Sequence, residues 1–200
     1  MSEQSGAHRS APTAHDAPAR DVSGHDVAGG QLPQADGEAD VRIAVVDAAC
    51  AGELLTLRRA AYVTEAQALN DVFIAPLTQT LDELLEDLSR ADVVTLGAWE
   101  GSRLVASIRI EIQEAKATLS RLAVAPDQQG RGIGTSLLFA MLPYLPQDVA
   151  EIWVFTSKNQ HMDLSVYTNS GFEEQYDRAS GELTYTYLRR VLNEAQARNI

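Results

Sequence analysis

The chain has 200 residues, 45% of them hydrophobic, and a formal charge of −12 at pH 7. This is enough for one domain with a sizeable core, and the acidic balance excludes the basic surface that nucleic acid requires. No apolar run approaches the roughly 20 residues that span a bilayer, no secretory signal core is present, and a single cysteine, Cys50, suits a reducing compartment, so the cytoplasm is expected and a membrane is not.

Met1 to Asp40 contain no aromatic residue but hold five of the 13 glycines, three of the seven prolines and three of the four histidines. Such a segment cannot bury enough apolar surface to offset its ordering entropy, so residues 1–40 read as a disordered acidic tail and residues 41–200 as the folded domain. Seven acidic residues against Arg9 and Arg20 give the tail −5 of the −12, leaving −7 for the domain. His8, His15 and His25 are too loosely spaced for a metal motif, and no metal is expected.

Val41 to Val46 has the β-branched bias of a first strand, and Gly52 to Ala68 carries leucines and alanines at helical spacing. Thr80, followed three residues later by Glu83, predicts a capping box opening a second helix through Leu88. Val93 to Glu100, Arg103 to Glu111 and Ala117 to Val124 read as an antiparallel meander, with Gly101-Ser102 as its first hairpin turn. A third helix from Ile133 should end near Pro143 and Pro146, and Ile152 to Phe155 is a short buried strand. Gln160 to Ser170 reads as a helix stopped by Gly171, with Phe172 to Tyr176 and Leu183 to Leu188 as closing strands. This order predicts a mixed α/β sheet and not a doubly wound one.

Between the third strand of the meander and the helix at Ile133 stands Gln129-Gly130-Arg131-Gly132-Ile133-Gly134. A glycine turn opening a helix can converge backbone N–H groups on a phosphate, because glycine has no Cβ to hold the anion off and the helix N-terminus adds positive potential. The third glycine of a dinucleotide fingerprint would fall on Thr135 or Leu137, and the lysine of a Walker loop is missing. What remains is Gln-x-x-Gly-x-Gly.

Arg121 to Pro126 followed by Gln129 to Gly134, with Tyr167-Thr168-Asn169-Ser170-Gly171-Phe172 further on, resembles the GNAT superfamily of N-acetyltransferases over roughly residues 42 to 190. The resemblance implies a mostly antiparallel central sheet flanked by helices, with a splayed central strand, and acetyl-coenzyme A as co-substrate. Gln129, Gly130, Arg131, Gly132, Ile133, Gly134 and Thr135 would hold the pyrophosphate. Val124 would pair with the pantetheine arm, and the Leu122 N–H would meet the acetyl carbonyl. Asn159 would touch pantetheine. Tyr167 would be the general acid, its phenol being roughly matched to a thiol leaving group.

Some relatives in the resembled family carry a basic glutamate where this chain has Thr118. Glu111, Glu65 and His161 are the substitutes considered, Glu111 being the preferred one. The acceptor pocket would be walled by Thr56 to Thr80 and by the hairpin near Tyr176 to Tyr185, whose acidic and aromatic residues suit a small cationic amine. Direct transfer in a ternary complex is expected, since Cys50 lies outside every matched motif. Dimers are common in the resembled family. A non-catalytic acyl-coenzyme A sensor is the alternative reading, favoured by the missing glutamate at Thr118.

Overall fold

The structure is a computed structural model that describes residues 41–158, 161–180 and 183–192. The predicted tail lies outside the described residues. Seven strands form one sheet: β1 (Val41–Val45), β2 (Val93–Glu100), β3 (Arg103–Gln113), β4 (Lys116–Val124), β5 (Glu151–Ser157), β6 (Glu173–Ser180) and β7 (Leu183–Val191). Their order is β1-β2-β3-β4-β5-β7-β6, and every neighbouring pair is antiparallel except β4 and β5.

The region before the sheet is more broken than its periodicity predicts. Instead of one helix from Gly52 to Ala68 there are α1 (Ala51–Ala61) and α2 (Val63–Leu69), separated at Tyr62. A one-turn helix α3 (Ala75–Thr78) follows, and then α4 (Leu81–Ser89). The hydrophobic spacing is continuous across the break, so periodicity alone cannot reveal it. Asn70 ends α2 in the left-handed region at φ 49°. The capping box is present as expected: Thr80 Oγ1 accepts from Glu83 N at 3.2 Å and Glu83 Oε2 accepts from Thr80 N at 2.8 Å.

Helices cover both faces because the meander strands are apolar on both sides. On one face, α5 (Ile133–Ala140) and α6 (His161–Thr168) pack Leu137, Leu138 and Tyr167 against Leu96, Ile110 and Ile152. On the other, α1 and α4 pack Leu54, Leu57 and Leu84 against Trp99 and Leu104. Gly171, at φ 84°, takes the turn after α6 that only glycine adopts at low cost.

Gly97 sits where Trp99 and Leu104 leave no room, since a Cβ there would stand 2.6 Å from both side chains. Gly97→Ala is therefore expected to destabilise the domain by about 1–3 kcal/mol through overpacking. Gly52→Ala, with nothing within 4 Å of the new Cβ, should be neutral or mildly stabilising. Urea denaturation of the two variants beside the parent checks both.

Candidate active site

The site begins as a failure of pairing between two strands. β4 and β5 are hydrogen-bonded only over Lys116–Thr118 and Glu151–Trp153. Beyond Thr118 they diverge, and the stretch from Leu119 to Val124 keeps β3 as its strand neighbour on one side only.

A bulge lies within that stretch. Ser107 pairs with Ala123 and Arg109 with Ser120, so Ile108 stands opposite both Arg121 and Leu122. Arg121 takes the extra residue's place at φ 55°, a left-handed conformation that costs a non-glycine residue about 1 kcal/mol or more. Backbone strain of this kind concentrates at functional sites.

Past the bulge, backbone direction follows from the strand's alternation. Ala125 N donates to Val105 O on β3 at 2.8 Å, so Ala123 also faces β3, while Leu122 and Val124 point their amides and carbonyls to the open side. Two side chains agree with this orientation. Tyr62 Oη donates to Leu122 O at 3.2 Å, and Gln129 Nε2 donates to Val124 O at 3.3 Å. The predicted contacts of Leu122 and Val124 thus lie on one accessible edge.

That edge runs into the glycine turn. Gly130 and Gly132 have φ 78° and 76°, so the two glycines meet a conformational demand. Gly134 does not: a Cβ there would touch Val124 Cγ2 at 3.6 Å, an ordinary contact. Gly132 caps α5 without a side-chain bond, and Ser136 N, donating to Gly132 O at 2.9 Å, is the first amide with an intrahelical partner. The amides of Ile133, Gly134 and Thr135 are left at the open helix end, where an anion is favoured. The Arg131 guanidinium is held by Glu100 Oε1 at 3.0 Å and by Gln128 Oε1, so it braces the turn against the end of β2. A pyrophosphate-bearing chain laid along Leu122 and Val124 fits these residues.

Tyr167 is 7% exposed on α6, with its ring edge-on to Phe172 at 5.8 Å. Asn159 falls outside the described residues, as does the side chain of His161. Phe155, Tyr176, Tyr185 and Tyr187 form a ladder on β5, β6 and β7: Tyr176 stacks on Tyr187 at 4.8 Å, and Phe155 contacts Tyr187 at 5.4 Å and Tyr185 at 5.8 Å. Phe155 and Tyr176 are half-exposed beyond the point where β5 leaves β4.

Below the bulge, on the α1 and α4 side, lies a charged cluster. Arg109 grips Asp87 with two bonds of 2.8 Å and bonds Glu111 Oε2 at 2.8 Å; Arg90 bonds Glu111 Oε1 at 2.7 Å and Asp92 at 2.6 Å. Glu111 is directly opposite Thr118 across the strands, as a substitute for a residue there would be. Its carboxyl, however, is held below the ordinary range by the bonds from Arg109 and Arg90. Burial works to raise the Asp87 carboxyl, but Arg109, followed by the charges of Arg58 and Arg90, outweighs burial and holds it low. Desolvation, then the carboxylates of Asp47 and Glu53, push the Cys50 thiol up, the reverse of an activated nucleophile.

Among the described residues no group of three or more His, Cys, Asp or Glu is placed to hold a metal ion, and no helix is long and apolar enough to cross a membrane.

A splayed β4 edge, a bulge at its centre and a glycine turn at its end form one continuous open edge. Residues 58–182 match the acetyltransferase (GNAT) domain, and the chain belongs to that family. It is 28% identical over 94 residues to the spermidine N(1)-acetyltransferase of Thermoplasma acidophilum, covering 46% of this chain and 58% of that protein. It is also 28% identical over 128 residues to the UPF0157 protein YqkA of Bacillus subtilis, covering 64% of this chain and 36% of that one. The chain thus spans less than two thirds of the length of either relative. The fold matches the PaiA N-acetyltransferase of Thermoplasma acidophilum in complex with coenzyme A at a TM-score of 0.66 and 18% identity, over 76% of this chain and 99% of that one. It matches the Escherichia coli ribosomal-protein-S18-alanine N-acetyltransferase at 0.62 and 15%, over 76% and 93%.

The Asp87 and Arg109 side chains are only 15% and 11% exposed. Removing the carboxylate leaves a mostly buried guanidinium short of its partner, so Asp87→Asn should cost about 2–4 kcal/mol at pH 7. Because the folded-state pKa of Asp87 is depressed, its contribution is present above the unfolded value near about 4 and is lost as pH falls through the lower folded value. The difference between parent and variant should therefore shrink below about pH 4, as denaturation at pH 7 and pH 3 would show.

Proposed function

We propose that this chain transfers an acetyl group from acetyl-coenzyme A to a primary amine, by direct attack within a ternary complex. The observation that carries the reading is the open edge of Leu122 and Val124 running into the glycine turn. Val124 supplies the backbone group for the pantetheine arm. Gly130 to Thr135 supply amides for the pyrophosphate, and Arg131 holds the turn in shape. The coverage of spermidine N(1)-acetyltransferase supports an amine acceptor, and so does the acidic domain.

Leu122 N–H, fixed by the bulge, donates to the acetyl carbonyl oxygen as negative charge develops there, an effect typically worth about 3 kcal/mol. The amine nitrogen attacks the carbonyl carbon, the C–S bond breaks, Tyr167 gives its proton to the departing sulfur, and the surplus proton released by the nitrogen restores the phenol. Before attack, the ammonium must lose a proton. We do not carry Glu111 forward as acceptor of that proton, because two guanidiniums favour its ionised form and weaken it as a base. Glu65 on α2 is the carboxylate we carry forward, since α2 follows directly on Tyr62, whose hydroxyl donates to the Leu122 carbonyl.

The left-handed Gly132 makes a direct test of the turn. Gly132→Ala should weaken coenzyme A binding about tenfold or more in calorimetry, as the strain of about 1–2 kcal/mol shifts the amides. Gly134→Ala should change it far less.

Tyr167→Phe should lower turnover at least tenfold and leave coenzyme A affinity nearly unchanged. Undiminished turnover, with the chemical step limiting, removes Tyr167 from the mechanism. A sensor is supported by Thr118 standing where a strand glutamate would. It would bind acetyl-coenzyme A and release no thiol above background with any amine, which a thiol assay over an amine panel decides.

A further inference from the structure

Arg58 is fully buried, with no measurable exposure, and its Nε and Nη2 have no hydrogen-bond partner among the described residues. Its one bond is a long one, from Nη1 to Gln79 Oε1 at 3.4 Å. Desolvation and then the charge of Arg121 lower its pKa to about 10, which still leaves it cationic at neutral pH. Burying an ion without a bonded counter-ion is costly, and such an arrangement asks what the charge is kept for.

Arg121 is a second, less deeply buried guanidinium. It is half-buried at the bulge and makes no hydrogen bond or ion pair among the described residues. Burial lowers its pKa, and the groups acting on its charge are Tyr62, Arg109, Asp87 and Glu65. Leu122 and Val124 pack on the α5 and α6 side of the sheet and Ala125 on the α1 and α4 side, so alternation along the strand past the bulge puts Arg121 on the α1 and α4 side, beside the edge carrying Leu122.

Three nearby carboxylates are bonded to other cations. Asp87 is gripped by Arg109, Glu111 is shared between Arg109 and Arg90, and Asp92 is bonded by Arg90. Two guanidiniums, Arg58 without accessible surface and Arg121 with some, thus raise a positive potential beside the Leu122 edge. They do so in a domain whose net charge is negative.

We infer that the amine acceptor also carries a carboxylate, bound by the Arg121 guanidinium with Arg58 as a positioning charge behind it. The inference rests on the amine-acetyltransferase reading above and narrows it: the acceptor enters as an amino acid or a related amino-carboxylate, its ammonium toward Glu65 and its carboxylate toward Arg121. A planar guanidinium matches a carboxylate with two parallel N–H bonds, and a polyamine offers nothing to occupy it.

The test pairs each acceptor with its own amide: glycine with glycinamide, β-alanine with β-alaninamide, γ-aminobutyrate with its amide, and spermidine beside them. With the full chain and acetyl-coenzyme A, thiol release should favour at least one carboxylate over its amide by tenfold or more in kcat/KM. Calorimetry in the presence of coenzyme A should show the same preference in binding. Arg121→Gln should collapse that ratio toward one, mainly through KM, while Arg121→Lys keeps part of it. Arg58→Met should reduce the ratio without removing it. Transfer to amides or spermidine with no carboxylate preference, or a preference that survives Arg121→Gln, overturns this inference and leaves the transferase reading standing. No transfer to any amine overturns the transferase reading, and this one with it.

Discussion

The structure depends on one constraint, the divergence of β4 from β5 beyond Thr118. Backbone N–H and C=O groups taken from water must be paired, so a strand that leaves its neighbour in the middle of a sheet exposes a row of demands. Here those demands are met in parts. Tyr62 satisfies the Leu122 carbonyl and Gln129 satisfies the Val124 carbonyl, each from an element that borders the opening. The amides of the same two residues keep the direction in which a peptide-like ligand arm pairs as an added strand.

The bulge at Arg121 sets where that edge faces and what stands beneath it. Inserting one residue against Ile108 moves Leu122 and Val124 onto the register in which they face out, with Arg121 on the face of the sheet that α1 and α4 cover. The cluster is organised around Arg109, which spends its donors on Asp87 and Glu111. Those bonds fix α4 to β3 across the sheet and hold the Glu111 carboxyl below its ordinary range. Stability and site electrostatics are therefore set by the same carboxylates, and the unmatched charges of Arg58 and Arg121 follow from that allocation.

Much of the architecture was legible in residue order. The Thr80–Glu83 capping box, the Gly101 turn, the strand from Val93 to Glu100 and the glycine stop at Gly171 are local patterns, and each appears where its chemistry puts it. The break at Tyr62 was not legible, because leucines and alanines keep helical spacing through it. Nor was the state of Glu111: its position opposite Thr118 is a strand register, but its two guanidinium partners are brought in by β3 itself and by the end of α4.

The sequence by itself determined the strand, glycine turn and helix from Leu119 to Leu138, because strand alternation, a left-handed turn and a helix start are decided by residues within a few positions of one another. Only the tertiary structure decided which backbone edge of β4 is open, which side chains cap it, and that Arg58 and Arg121 meet without a bonded carboxylate. Those are sums over groups as far apart in the chain as Tyr62 and Leu122, and the balance of burial against pairing at a charge exists only once the neighbours are in place.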